Sequence, residues 1–134
     1  MANLIKNGDF SQEGNEWTAS NPDNVFYESG YCLIGLEDYI TQDVIIGNGG
    51  MFKLSAKLKT EDGFGSKVSV ETVPSGEKFD LLHAGGGEDW FVAEKNFTVQ
   101  AGTLKLIVKL QADDGVIGGK GAYFDDLELL RESV

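Results

Sequence analysis

Apolar and polar residues alternate with a period of two along much of this chain. In Met51-Phe52-Lys53-Leu54-Ser55-Ala56-Lys57-Leu58-Lys59, Phe52, Leu54, Ala56 and Leu58 fall on one face, and Lys53, Ser55, Lys57 and Lys59 on the other. Successive side chains of a strand point to opposite faces, so this predicts a half-buried antiparallel strand. Residues 104–111 repeat the pattern, with Leu104, Leu106, Val108 and Leu110 inward and Lys105, Ile107, Lys109 and Gln111 outward. Val68, Val70 and Thr72 alternate with Ser69 and Glu71, and Phe97 and Val99 with Asn96 and Thr98. Shorter candidates lie at 25–27, 31–36, 39–46, 79–82, 91–96 and 122–130. Sustained helical periodicity is missing throughout.

Turn signals separate these runs: Asn7-Gly8-Asp9, Gly47-Asn48-Gly49-Gly50, Pro74-Ser75-Gly76, Gly85-Gly86-Gly87 and Gly118-Gly119. Eighteen glycines against two prolines, in no collagen-like period, fit many tight turns between short strands. The expected fold is an all-β jelly-roll sandwich of two antiparallel sheets, with about ten strands. At 134 residues the chain has the size of one ordinary domain, so residues 1–134 are read as a single unit.

Charge narrows the partners. The formal net charge of −11 repels a phosphate backbone or an anionic membrane surface, so neither nucleic acid nor membrane is an expected partner. No stretch nears the roughly 18 apolar residues of a membrane helix. The opening Met1-Ala2-Asn3-Leu4-Ile5 lacks the basic and long apolar regions of a signal peptide. Synthesis in the cytoplasm is therefore expected, with use inside the cell, in a virion, or outside after lysis or leaderless export. Cys32, alone and set in Tyr31-Cys32-Leu33-Ile34, reads as a small buried hydrophobe.

The two ends of the chain are more specific. Asn3-Leu4-Ile5-Lys6-Asn7-Gly8-Asp9-Phe10, with Trp17 soon after, and Ala122-Tyr123-Phe124-Asp125-Asp126-Leu127-Glu128-Leu129 resemble the first and last strands of the jelly-roll carbohydrate-binding modules of families 4, 9 and 22, which are galactose-binding-domain-like. In the middle, Tyr39-Ile40-Thr41-Gln42-Asp43-Val44, a glycine turn and Met51–Ala56 are similar to that family's glutamine-bearing strand and its successor. The resemblance spans nearly the whole chain in the right order. It implies a non-catalytic module that binds a poly- or oligosaccharide. It also implies a structural calcium ion between the first and last strands, with Asp125, groups around Asp9 and Ser11, and a main-chain carbonyl near Lys53 as ligands. Ser11 stands where the family often has glutamate, which weakens that site. Alternation places Tyr123 and Asp125 on the core side with Leu127 and Leu129, where a carboxylate needs a cation or N–H donors. Hydrogen bonds from a turn would serve Asp125 equally.

Sugar binding needs rings that stack on pyranose faces and amides that meet hydroxyls. Trp17 and Trp90 stand where the family packs tryptophans into the core. Tyr31 and Tyr39 oppose their buried neighbours in parity and are the expected stacking residues, with Tyr27 a further candidate. Gln42 shares parity with Ile40 and Val44 and either bonds backbone or lines a groove; Gln111 is the outward hydroxyl partner. The expected ligand set is thus Tyr31, Tyr39, Gln42 and Gln111, and the metal set Asp9, Ser11, Lys53 and Asp125.

Catalysis is not expected. The acidic pairs Glu37/Asp38, Glu88/Asp89, Asp113/Asp114 and Asp125/Asp126 lie in or near glycine-rich turns, where solvated carboxylates are common. A glycosidase would need two across a cleft. The single histidine, His83, is read as unsupported, which excludes a triad. The alternative is a structural or adhesive jelly roll, such as a virion decoration or tail-associated protein, whose partner is a protein surface.

Overall fold

The computed structural model describes residues 3–28, 30–35, 38–114 and 120–132. Two five-stranded antiparallel sheets face each other. The strands are β1 (Thr18–Ala19), β2 (Val25–Glu28), β3 (Tyr31–Gly35), β4 (Tyr39–Ile45), β5 (Gly50–Thr60), β6 (Gly65–Val73), β7 (Lys78–Gly85), β8 (Phe91–Val99), β9 (Lys105–Asp114) and β10 (Lys120–Arg131). One sheet runs β1-β4-β9-β6-β7, the other β2-β3-β10-β5-β8. We call them the first and second sheets. Leu36 and the Gly118-Gly119 turn signal lie outside the described residues.

The period-two runs supply the core. Phe52, Leu54, Ala56 and Leu58 of β5 meet Val68 and Val70 of β6 and Leu106, Val108 and Leu110 of β9, all at most 1% exposed. Interdigitation of two inner faces is what a sandwich requires. Cys32 is fully buried, and burial pushes its thiol well above the ordinary thiol range. Trp17 is buried as expected, its Nε1 donating to the Asn7 carbonyl at 3.1 Å. Leu104 departs from expectation: at 58% exposure it precedes β9 and contributes backbone, donating to the Val73 carbonyl and accepting from Ile46 and Gly47.

The N-terminal segment is a hydrogen-bonded strap rather than a regular strand. Asn3 Nδ2 donates to the Leu127 carbonyl at 3.0 Å, while its Oδ1 accepts from Leu129 N–H at 2.9 Å. Leu4 N–H donates to the Leu129 carbonyl and Leu127 N–H to that of Gly8. The reason lies in β10. Its register with β5 shifts between Asp125 and Glu128, a β-bulge with Asp126 in the left-handed region at φ 47°. Backbone groups freed from the ladder there must find partners, and the strap supplies them. Gly8 is required at this crossing, because a Cβ would lie 2.1 Å from the Leu127 carbonyl oxygen.

The bulge also corrects the expected facing of the last strand. Ala122 and Phe124 are buried, then Leu127 and Leu129. The extra residue reverses parity between the two pairs. Tyr123 and Asp125 consequently face outward, not toward the core with Leu127 and Leu129.

Candidate functional site

Register brings β4, β9, β6 and β7 into aligned rows on the outer face of the first sheet. Tyr39 pairs with Gln111, which pairs with Lys67 and onward to His83. The next row is Thr41, Lys109, Ser69 and Asp80, and the third Asp43, Ile107, Glu71 and Lys78. A groove of about 500 Å³ lies over these rows. Unlike the floor of a buried pocket, it is mostly polar: amide, hydroxyls, carboxylates and ammonium groups surround Tyr39 and Ile107. Lys109 Nζ sits 4.2 Å from the centre of the Tyr39 ring, a cation–π contact that holds the ring in place. Lys105 Nζ binds Asp43 Oδ2 at 3.0 Å, and Lys67 Nζ reaches Asp113 Oδ1 at 3.3 Å and Asp80 Oδ2 at 3.9 Å.

Of the four expected ligand residues, Tyr39 and Gln111 stand together in this groove. Gln42 does not. It is 7% exposed, its Oε1 accepting from Lys6 N–H and its Nε2 donating to the Lys6 carbonyl, both at 2.8 Å. Both ends of the amide are committed to pinning the strap against β4, so Gln42 is a structural residue. Tyr31 faces outward, but from the second sheet. It packs there against Tyr123 and Trp90. Trp90 is a further correction: it is 36% exposed and not a core residue. It follows the Gly85-Gly86-Gly87 turn and precedes β8, so no inner strand position captures it. Tyr27 packs against Phe10 with ring centres 5.9 Å apart, and burial pushes its phenol up to about 12.

Of the expected metal set, Asp9 and Ser11 lie together, whereas Lys53 stands apart from Asp125. Asp9 and Ser11 line a cavity of about 790 Å³ beside the bulge, with Lys57, Asp126 and Glu128. Asp125 faces the adjoining cavity by Trp90. Lys53 is opposite Leu130, whereas Asp125 is opposite Lys57, four residues along β5. At strand rise that separation is about 13 Å, too far for a carbonyl at Lys53 to share an ion with Asp125. Asp9 Oδ1 accepts from Ser11 N–H at 3.0 Å, and this bond and that of the Ser11 side chain lower its pKa. Asp125 Oδ1 accepts from Asp126 N–H at 2.8 Å, the turn-type bond left open above. Burial raises the Asp125 carboxyl from 3.8 to about 6, with the charges of Asp126 and Asp9 adding to the effect. Among the described residues, no group of three or more His, Cys, Asp or Glu side chains could hold an ion.

Glu37 lies outside the described residues, and of the other acids in these pairs Asp38 and Asp89, like Asp125, accept hydrogen bonds. Asp38 accepts from Ser20 and Asn24, and Asp89 caps Trp90 N–H. His83 Nε2 lies 3.6 Å from Asp113 Oδ2, longer than a hydrogen bond. It lies on the exposed outer row of β7, while Cys32, the chain's single thiol, is buried in the other sheet.

Comparison with known proteins agrees on architecture. No protein-family model matches the chain, and no curated protein matches it. Among solved structures, TmCBM61 in complex with β-1,4-galactotriose shares the fold with a TM-score of 0.71 and 20% identity, over 98% of this chain and 100% of that one. The Clostridium thermocellum xylanase 10B CBM22-1–GH10 modules, complexed with xylohexaose, match with a TM-score of 0.71 and 15% identity, over 98% of this chain and 29% of that one. A bacteriophage CBA120 tailspike enzymatically active domain matches at 0.68 and 16%, over 95% of this chain and 21% of that one. The chain therefore has the jelly-roll sandwich fold of carbohydrate-binding modules.

Proposed function

We infer that this protein is a non-catalytic carbohydrate-binding module whose ligand lies across the outer face of β4, β9, β6 and β7. The observation that carries this reading is the Tyr39–Gln111 pair in register, at one end of a groove floored by hydrogen-bonding side chains. A pyranose has an apolar face and a rim of hydroxyls. Tyr39 offers the ring, with Lys109 already on one side of it. Gln111 both donates and accepts, and Thr41, Ser69 and Asp80 of the next row add further partners. The aligned rows suit an extended chain better than a single sugar. Solved modules that share the fold with this chain are complexed with β-1,4-galactotriose and xylohexaose, which supports the ligand class. Calorimetric titration of those two sugars against wild type, Tyr39→Ala and Gln111→Ala tests it. Binding by wild type that both variants weaken is expected; no binding of either sugar, alongside capture of a protein partner, would favour a protein-binding jelly roll.

We further infer that Lys57, rather than calcium, supplies the positive charge at the β10 bulge. Its Nζ lies 3.2 Å from Asp126 Oδ2 and lowers the pKa of Asp125. Millimolar calcium and chelator should leave the melting temperature unchanged. A rise with calcium that Asp125→Ala abolishes would restore the metal.

A further inference from the structure

The solvent face of the second sheet carries three aromatic rings that take no part in the core. Tyr31 of β3 and Tyr123 of β10 face outward on adjacent strands, with centroids 5.5 Å apart. Trp90 closes the triangle, 5.9 Å from Tyr31 and 6.1 Å from Tyr123, edge to face with both. These are ring-contact distances, so the three pack on one another and leave no cage between them for an ammonium ligand. What they offer is an outward apolar platform.

The rim of the platform is charged. Tyr31 Oη donates to Glu28 Oε2 at 3.3 Å and Tyr123 Oη to Glu61 Oε1 at 2.9 Å. Lys59 Nζ lies 5.0 Å from the Tyr123 ring centre. Beside Trp90 opens a cavity of about 370 Å³, walled by Lys57, Phe91, Val92 and Asp125. An apolar floor edged by carboxylate acceptors and ammonium donors matches a sugar, whose C–H face needs the rings and whose hydroxyls need both kinds of partner.

We propose that Tyr31, Trp90 and Tyr123 form a second carbohydrate-binding surface, on the opposite sheet from the Tyr39–Gln111 groove. The proposal rests on the reading of this chain as a carbohydrate binder, but on none of the groove's residues. Two surfaces facing away from each other would let one domain engage two glycan chains and gain avidity on a polysaccharide.

Fluorescence separates the two surfaces. The chain has two tryptophans, Trp17 buried and Trp90 exposed, so a Trp17→Phe variant reports on Trp90 alone. This variant is titrated with β-1,4-galactotriose, xylohexaose and cellotriose, with calorimetry in parallel. A saturable change in Trp90 emission is expected. It should persist when Tyr39→Ala is added and weaken roughly 2- to 12-fold in affinity when Tyr123→Ala is added, by the general scale for aromatic contacts. Calorimetry should give two sites in wild type and one in Trp90→Ala. Circular dichroism should be unchanged, since these rings lie outside the core. Sugar binding that leaves Trp90 emission untouched, or that Tyr39→Ala abolishes entirely, would overturn the second surface while sparing the groove. If wild type binds none of the three sugars, both readings fall.

Discussion

The two outer faces of the sandwich divide the chemistry of sugar recognition unequally. The face of the first sheet has one phenol ring, Tyr39, among rows of amide, hydroxyl and charged groups. The face of the second has three rings in mutual contact, with its charges pushed to the rim. Their strands differ as well. On the first, β4 and β9 pair without a break, so inward and outward positions alternate cleanly on those two strands, while the β6–β7 pairing shifts register between Val68 and Ser69. On the second, the bulge in β10 reverses the facing midway and opens a cavity under the N-terminal strap. The regular β4–β9 pair builds a long, evenly spaced surface suited to a chain of residues; the three rings gather where β3 adjoins β10 and the segment before β8 brings in Trp90.

The contrast between inner and outer positions breaks most sharply on a single strand. Leu106 is fully buried on β9, and Ile107 beside it lines the groove. Leu106→Ala should cost about 2–5 kcal/mol through lost burial and the cavity left behind. Ile107→Ala should cost less than about 1 kcal/mol and act on binding instead. Urea unfolding of both variants checks this, and equal costs would mean that the face assignment is wrong. Gln42→Ala comes next. It strands a backbone N–H and carbonyl of Lys6, so a loss of about 1–3 kcal/mol is expected with sugar affinity unchanged. Weaker binding without a stability loss would return Gln42 to the ligand face.

Much of this was legible in the chain. The alternation at Phe52–Leu58 and Leu106–Leu110 foretells both strands and their inner faces, because period two survives wherever pairing is unbroken. Tyr39 and Gln111 were readable as outward from parity, although their being opposite one another depends on register. The last strand shows where pattern reading fails. Its buried residues are Ala122, Phe124, Leu127 and Leu129, and the step of three from Phe124 to Leu127 is the trace of the bulge. Counting parity back from Leu129 across that step turns Asp125 inward, and the metal role comes from the family resemblance alone. The cluster of Tyr31, Trp90 and Tyr123 left no trace of this kind. Its members come from separate parts of the chain: the pairing of β3 with β10 brings the tyrosines together, and the segment before β8 adds Trp90.

Removal of the Tyr39 ring should weaken oligosaccharide binding by about 0.5–1.5 kcal/mol with little change in melting temperature. Isothermal titration against Tyr39→Ala measures it, and an unchanged affinity would shift recognition entirely to the second sheet. The smallest effect concerns pH. The Asp125 carboxyl titrates near pH 6 when folded, above its ordinary 3.8, so the folded state holds this proton more tightly than the unfolded chain. The stability this contributes is complete below about pH 4 and is lost as pH rises through about 6. Asp125→Asn removes that loss. Its stability relative to wild type should therefore grow between pH 4 and 7, by less than about 1 kcal/mol because the group is partly solvated. Melting curves across that range check the sign; a relative stability that falls with pH would mean that Asp125 is held by a cation.

The most direct test of the central claim is backbone amide chemical-shift mapping with β-1,4-galactotriose and xylohexaose. Saturable shifts should include a contiguous set on β4, β9 and β6, around Tyr39, Thr41, Ser69, Lys109 and Gln111, and Gln111→Ala should shrink them. Shifts that avoid the first sheet altogether, or no shifts with either sugar, would contradict the assignment of this face to carbohydrate.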